Sequence, residues 1–375
     1  MNKKIKSLVL AAVMGLSLTT VAVVPTTVEA ASAGAAETLI GGAVAYAYVS
    51  TAFNKMDNSK EGQEQSLARA KKQTGYLEDS AAQARVQRIM KTLEASPSVK
   101  RSYVVYANPS DDFNAFATVG RVMSVNKGAL DLLDDDELAY VMAHEISHGE
   151  HKDIVNGLKK QVGLSTAVSL AAGGNAAILS NIAGNYMENQ VFTMGQEKAA
   201  DELGFKILSE SPYNVGAAAA SMAVLRNKYG DLYREGLNQV FSPNNHPKTS
   251  SRVKDNIDRM YTYSGNHVTV DNGAVFVNGV NIYSPANSGR YTGEERAYFM
   301  AGKLARLYHN GQIQLGGASY DGPTVTVAGR SIVTTPNADV ALMVATNLNN
   351  SFVKAAGPAK GKQAAKPNKK KSSKK

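Results

Sequence analysis

The stretch 141–151 reads VMAHEISHGEH and carries three of the six histidines in the chain. His144 and His148 are four residues apart, so on a helix they share one face and both imidazoles can reach one cation. Glu145 lies about 100° further round, where it can hydrogen-bond a water on that cation instead of binding it. This is the H-E-x-x-H spacing of a zinc-dependent hydrolytic site. Zinc lowers the pKa of a bound water towards ~7, the glutamate takes its proton, and the hydroxide attacks a polarised carbonyl. A five-residue pattern with two free positions also arises by chance, so the surroundings must decide.

A catalytic zinc needs a third protein ligand. His151 points the same way as His144, but lies two turns on, ~10.5 Å along a straight helix, too far for one ion. The solution with a glycine bend and a later histidine fails, because His151 occupies the glycine position and Ile154 the later one. His151 therefore reads as an exposed polar residue near the site. Glu197 and Asp201, in GQEKAADELG, are four apart on a predicted helix. One carboxylate can complete a His-His-Glu set and the other can orient an imidazole from behind. Either also fits an ordinary solvated helix charge, and Glu188 and Glu202 are weaker competitors.

The elements that must position these residues are readable. Asp134 with Glu137 three residues on predicts a capping box opening the helix that carries His144. Residues 76–95 predict a helix with Ala82, Val86, Ile89, Met90 and Leu93 on one face. Strands are expected at 102–107, near 114–118 and at 121–125, with a turn at Gly120. Further helices are expected at 195–209 and 214–228. The uncharged run 161–187 predicts a buried helical hairpin broken at Gly173–Gly174 rather than a membrane span. After Asp258 the texture changes to alternating strands with Asn-Gly and Gly turns, interleaved with two helices. No internal repeat is evident.

Composition narrows the classes. The 375 residues predict two folded units. Lys3, Lys4 and Lys6, the uncharged run to Val28 and the Val28–Ala30 small-residue site predict a signal peptide at 1–30. An apolar segment spans 31–57. The catalytic candidates lie in 58–262, a smaller α+β unit in 263–355, and a disordered Lys-rich tail in 356–375. The formal charge is +9. Residues 1–30 hold +2 of it and the tail +8, which leaves the globular part near neutral. No basic face with interleaved aromatics exists, which argues against nucleic acid. There is no cysteine, so a metal must be held by His, Asp and Glu. The eight tail lysines suit an anionic lipid or cell-wall polymer.

Four ordered segments between Gly75 and Met260 carry a resemblance: NAFATVG (114–120), DDELAYVMAHEISH (135–148), EKAADELG (197–204) and HPKTSSR (246–252). They resemble the gluzincin peptidases that include the HtpX heat-shock protease, the CAAX prenyl endopeptidase, the mitochondrial Oma-type protease and BepA-like proteases. The resemblance implies an α+β fold: a mainly helical zincin-type domain with a small antiparallel sheet. It implies one Zn2+ per chain on His144, His148 and Glu197, Glu145 as general base, and Asp201 behind a ligand. It implies an edge strand at Asn114, Ala115 and Phe116 that holds extended peptide, and His246 and Arg252 near the active site, where His246 either stabilises the oxyanion or sits over the zinc as a gate. It departs from the family at Met194, where an arginine is common, and does not cover 263–375. The implied activity is a zinc endopeptidase of the cell envelope, periplasmic or extracellular, acting on unfolded or extended protein. The alternative is a chaperone-like binder that retains the fold and hardly cleaves.

Overall fold

The computed structural model describes residues 34–162, 182–183, 192–231 and 248–353, with side chains from residue 46 onward apart from residue 161. The signal region, most of the uncharged run 161–187, Glu188, His246 and the Lys-rich tail lie outside the described residues. The chain divides into two compact units, Met1–Val44 and Ala45–Lys375. In the first, residues 34–44 are helical. No described helix is long and apolar enough to cross a membrane.

Helix α1 (Gly34–Asn58) is followed by α2 (Lys60–Thr74) and α3 (Ser80–Glu94). Helix α3 buries Val86, Ile89, Met90 and Leu93, the face its apolar spacing dictates. Three short strands follow: β1 (Val104–Asn108), β2 (Ala115–Thr118) and β3 (Val122–Asn126). Their order is β1-β3-β2, with β2–β3 antiparallel across the Gly120 turn and β1–β3 parallel. Gly120 has φ +84°, and a Cβ there would sit 2.8 Å from Ser66, so the tight turn requires glycine.

Helices α4 (Lys127–Leu132) and α5 (Asp135–Glu150) come next. The capping box at the head of α5 is formed: Glu137 N–H donates to Asp134 Oδ1 at 2.8 Å and Asp134 N–H to Glu137 Oε2 at 2.9 Å. Every residue from Glu137 to Gly149 is buried, so α5 is the central helix of the core. Around it stand α6 (Asp153–Gln161), α7 (Met194–Ser209), α8 (Ala217–Tyr229) and α9 (Thr249–Tyr263).

The C-terminal unit is a structural duplication that the sequence reading missed. Strands β4 (Val268–Asp271), β5 (Ala274–Val277) and β6 (Val280–Tyr283) form a meander before helix α10 (Gly293–His309). Strands β7 (Ala318–Asp321), β8 (Thr324–Val327) and β9 (Arg330–Thr334) form another before α11 (Ala338–Phe352). The registers superpose after a shift of 50 residues: Val268↔Val277 becomes Ala318↔Val327, and Val277↔Val280 becomes Val327↔Arg330. Each second strand carries its register shift at the matching place, Val275/Phe276 and Val325/Thr326. Few residues are shared between the copies, chiefly core valines and the turn glycines Gly279 and Gly329, which is why no repeat shows in the sequence. Helix α10 packs on its own sheet and on β9, while α11 packs on its own sheet and on β6. One continuous hydrophobic core joins this unit to α3, α5, α7 and α8.

Candidate active site

The site is built where α7 crosses α5. The two helices approach so closely that a Cβ on Gly204 would lie 3.1 Å from His144 N and 3.2 Å from its Cα. Glycine at 204 therefore lets α7 lie against the backbone of His144, with Asp201 and Glu197 one and two turns earlier on the same helix.

His144, His148 and Glu197 each offer one ligand atom, all within 4.8 Å of one another. All three are buried, at 3, 1 and 0% exposure. Glu197 Oε2 is 3.5 Å from His144 Nε2, and Glu197 Oε1 is 3.4 Å from His148 Nε2. These separations exceed those of a good hydrogen bond. They match ligand atoms around a tetrahedral zinc, which lie about 3.3 Å apart when each bond is ~2.0–2.1 Å. The donor set, two imidazoles and one carboxylate with no sulfur, also fits zinc.

Each imidazole is held from behind by a carboxylate, which aims its Nε2 into the site. His144 Nδ1 lies 3.0 Å from Asp201 Oδ1. Asp201 also accepts from Arg252 Nη2 at 2.6 Å, from Arg252 Nε at 2.9 Å and from Tyr140 Oη at 3.0 Å. Burial opposes the Asp201 charge, but Arg252 and His144 outweigh it and hold its carboxyl well below the usual range. Arg252 Nη2 also approaches His144 Nδ1 at 3.3 Å. Both are donors when Nδ1 is protonated towards Asp201, so the carboxylate between them carries the attraction. Asn256 donates to Tyr140 Oη at 3.0 Å and to Ala218 O at 2.9 Å, which fixes the tyrosine.

His148 Nδ1 lies 2.9 Å from Asp153 Oδ2. Gln196 Nε2 donates to Asp153 Oδ1 at 2.7 Å, and Phe192 stacks on the His148 ring at 3.8 Å. Burial disfavours the His148 cation, but Asp153 and Glu197 outweigh it and raise its pKa to about 9 in the metal-free chain. His144 is shifted upward by the same balance, with Asp201 and Glu197 overcoming burial.

Glu145 faces β2. Its Oε2 accepts the Ala117 N–H at 3.0 Å. Strand β2 is the edge of its sheet, and the Asn126 N–H to Asn114 O bond at 2.9 Å fixes the alternation. Asn114, Phe116 and Thr118 therefore bond towards β3, and the backbone groups of Ala115 and Ala117 point to the outer edge. The side-chain Oδ1 of Asn114 is buried and accepts no hydrogen bond among the described residues.

The structure thus brings together His144, Glu145, His148, Glu197, Asp201 and Arg252, and β2 reaches Glu145 through Ala117, while Phe116 packs against Ala70, Tyr106 and Val122. His151 caps the end of α5 and is exposed. Glu202 faces an outer groove with it. Met194 is also exposed, so this side chain does not enter the site. Sequence reasoning missed Asp153, Gln196, Tyr140 and Asn256. Asp153 had one signal: it opens the next helix five residues after His148, across the left-handed Lys152 turn at φ 58°.

A model of peptidase family M48 matches residues 77–259. Among known proteins, the chain is 26% identical over 166 residues to metalloprotease LoiP of Escherichia coli (strain K12), covering 42% of this chain and 62% of that one. It is 27% identical over 179 residues to the beta-barrel assembly-enhancing protease of the same organism, covering 44% and 36%. It is 32% identical over 133 residues to a protease HtpX homolog of Salinibacter ruber (strain DSM 13855 / M31), covering 30% and 47%. The chain spans less than two thirds of each relative, and none of these matches reaches across half of this chain. The matched segment runs from just before α3 into α9 and contains every described residue of the cluster. Over residues 77–259, this chain is therefore similar to peptidase family M48.

Proposed function

We propose that this chain is a zinc-dependent endopeptidase of the cell envelope that cleaves unfolded or extended polypeptide. One observation carries the reading: three buried ligand atoms of His144, His148 and Glu197 converge, and both imidazoles are aimed by carboxylates. A zinc ion there would supply Lewis acidity, polarising the scissile carbonyl and acidifying the attacking water. Glu145 takes the proton of that water and passes it to the leaving amine, a role its place beside both the ligands and β2 supports. The outer edge of β2 supports binding of the substrate as an added strand, with Ala115 supplying backbone bonds beside the Ala117 N–H held by Glu145. The buried Asn114 oxygen is an acceptor at the end of that strand. Asp201 and Arg252 act on His144, since Arg252 keeps the Asp201 carboxylate charged. His246 retains its proposed place near the active site, as oxyanion partner or gate, from the HPKTSSR segment alone. The signal-like start and the names of the relatives support an envelope location, and the eight tail lysines support a hold on an anionic surface.

The test is metal content together with casein cleavage, on the unaltered chain and on Glu145→Gln and Glu197→Gln. The expected result is about one zinc per chain in the unaltered and Glu145→Gln forms, weakened zinc binding in Glu197→Gln, and cleavage only by the unaltered chain. Zinc retained with cleavage by Glu145→Gln would remove the general-base assignment. No zinc in any form would remove the reading.

A further inference from the structure

Where α10 and β9 meet the loop between α7 and α8 lies a cavity of about 250 Å3. Lys303, Arg306 and Arg330 line it, with Asp136 as its one acid; Leu307 and Ile332 add apolar wall. The carboxylate is already engaged, since Asp136 Oδ1 accepts the Asn214 N–H at 3.0 Å. The Arg306 guanidinium is fixed by two neutral acceptors, Ser209 O at 3.2 Å and Tyr213 O at 2.5 Å, which leave its charge uncompensated. The side chains of Lys303 and Arg330 form no hydrogen bond or ion pair among the described residues. Burial pushes the Lys303 pKa down, with only Asp136 opposing it.

We propose that this cavity binds a small dianion with a tetrahedral oxyanion head, a hydrogen phosphate or a phosphomonoester. Three cations against one acid leave an excess of two positive charges, which a dianion neutralises and a monocarboxylate does not. Apolar walls concentrate the field of those charges. Guanidinium and ammonium groups donate charge-assisted bonds to phosphate oxygens, and the Ser331 hydroxyl on the wall adds a neutral partner. The volume lies below the ~300–1,000 Å3 of sites for drug-sized ligands, which favours a small anion. A bound dianion joins α10 to β9 through Lys303, Arg306 and Arg330. This site is separate from the His-His-Glu cluster and does not depend on the peptidase reading.

The experiment is calorimetric titration of the full chain with inorganic phosphate at constant ionic strength, alongside thermal unfolding in the same solutions. Saturable binding at one site is expected, with a rise in Tm as phosphate is added. Lys303→Ala and Arg330→Ala should each weaken it by about tenfold, the loss of one charge-assisted contact. Both side chains are exposed at the rim and form no hydrogen bond or ion pair among the described residues, so both variants keep the fold, checked by circular dichroism. Glycerol 3-phosphate separates the sources: tighter binding assigns a phosphomonoester, equal binding the free anion. The proposal is overturned if millimolar phosphate gives no saturable binding. It is equally overturned if the double variant binds as the unaltered chain does, or if acetate binds as tightly as phosphate.

Discussion

Replacing Asp153 tests whether the second histidine is held in place by the start of the next helix. Asp153 is 6% exposed and His148 1%, so their 2.9 Å contact is a buried, charge-assisted hydrogen bond. Such bonds contribute ~1.5–3 kcal/mol. The same range, about 10–100-fold in affinity, is lost when the partner behind a metal-binding imidazole is removed. Asp153→Ala should therefore weaken zinc binding by about 10–100-fold, measured by competition against a chromophoric chelator. Asp153→Asn keeps an accepting oxygen and loses the charge, so its loss should be smaller, about 3–10-fold. Gln196→Ala frees Asp153 on its other side and should fall between the unaltered chain and Asp153→Ala. The metal-free chain supplies an independent reading. His148 titrates at about 9 when folded, against about 6.5 unfolded. A raised pKa on a base stabilises below the unfolded value, and that contribution is lost as pH rises from about 6.5 through 9. Asp153→Ala should flatten that part of the stability profile. If Asp153→Ala binds zinc as tightly as the unaltered chain while Glu197→Gln does not, the orienting role assigned to Asp153 is wrong.

Gly204→Val should separate α7 from the backbone of His144 and destabilise the chain by ~1–3 kcal/mol in urea unfolding. Gly204→Ala should lie within ~1 kcal/mol of the unaltered chain, because its helix propensity gain offsets the 3.1 Å approach; equal stability of the valine form would refute the close-packing account. The Arg290 guanidinium pairs with Glu137, whose pKa is raised to about 7 by burial and by Asp134. A raised carboxyl pKa makes the folded state lose stability as pH rises from about 4.5 through 7. Arg290→Ala should steepen that loss, costing ~1–2 kcal/mol more at pH 8 than at pH 5 given the partial exposure of Arg290. An equal cost at both pH values would show that Glu137 does not rely on Arg290.

What was legible from the sequence was local. The capping box at Asp134 and Glu137, the apolar face of α3 and the positive-φ turn at Gly120 are set by a few adjacent residues, and all three formed as read. The pairing of His144 with His148 is a consequence of helical spacing alone. Glu197 and Asp201 were readable as two carboxylates on one face of a helix, but four-residue spacing does not say which helix they face. The 263–355 unit was readable as strands and helices, and its twofold design was not, because register depends on which positions pair rather than on which residues occupy them.

The sequence by itself determined the secondary elements and the types of group available: two imidazoles and an adjacent carboxylate on a capped helix, in a chain without cysteine. Only the tertiary structure decided which carboxylates meet them. Asp153 reaches His148 because Lys152 turns the chain back through a left-handed conformation. Arg252 reaches Asp201 from 51 residues away because α9 packs against α7. Tyr140, ordinary in sequence, becomes a partner of Asp201 because α5 is buried on all sides and its hydroxyl must find an acceptor inside. A hydrogen bond between distant residues depends on the packing of whole elements, and that packing is fixed by the shared core rather than by any short stretch of chain.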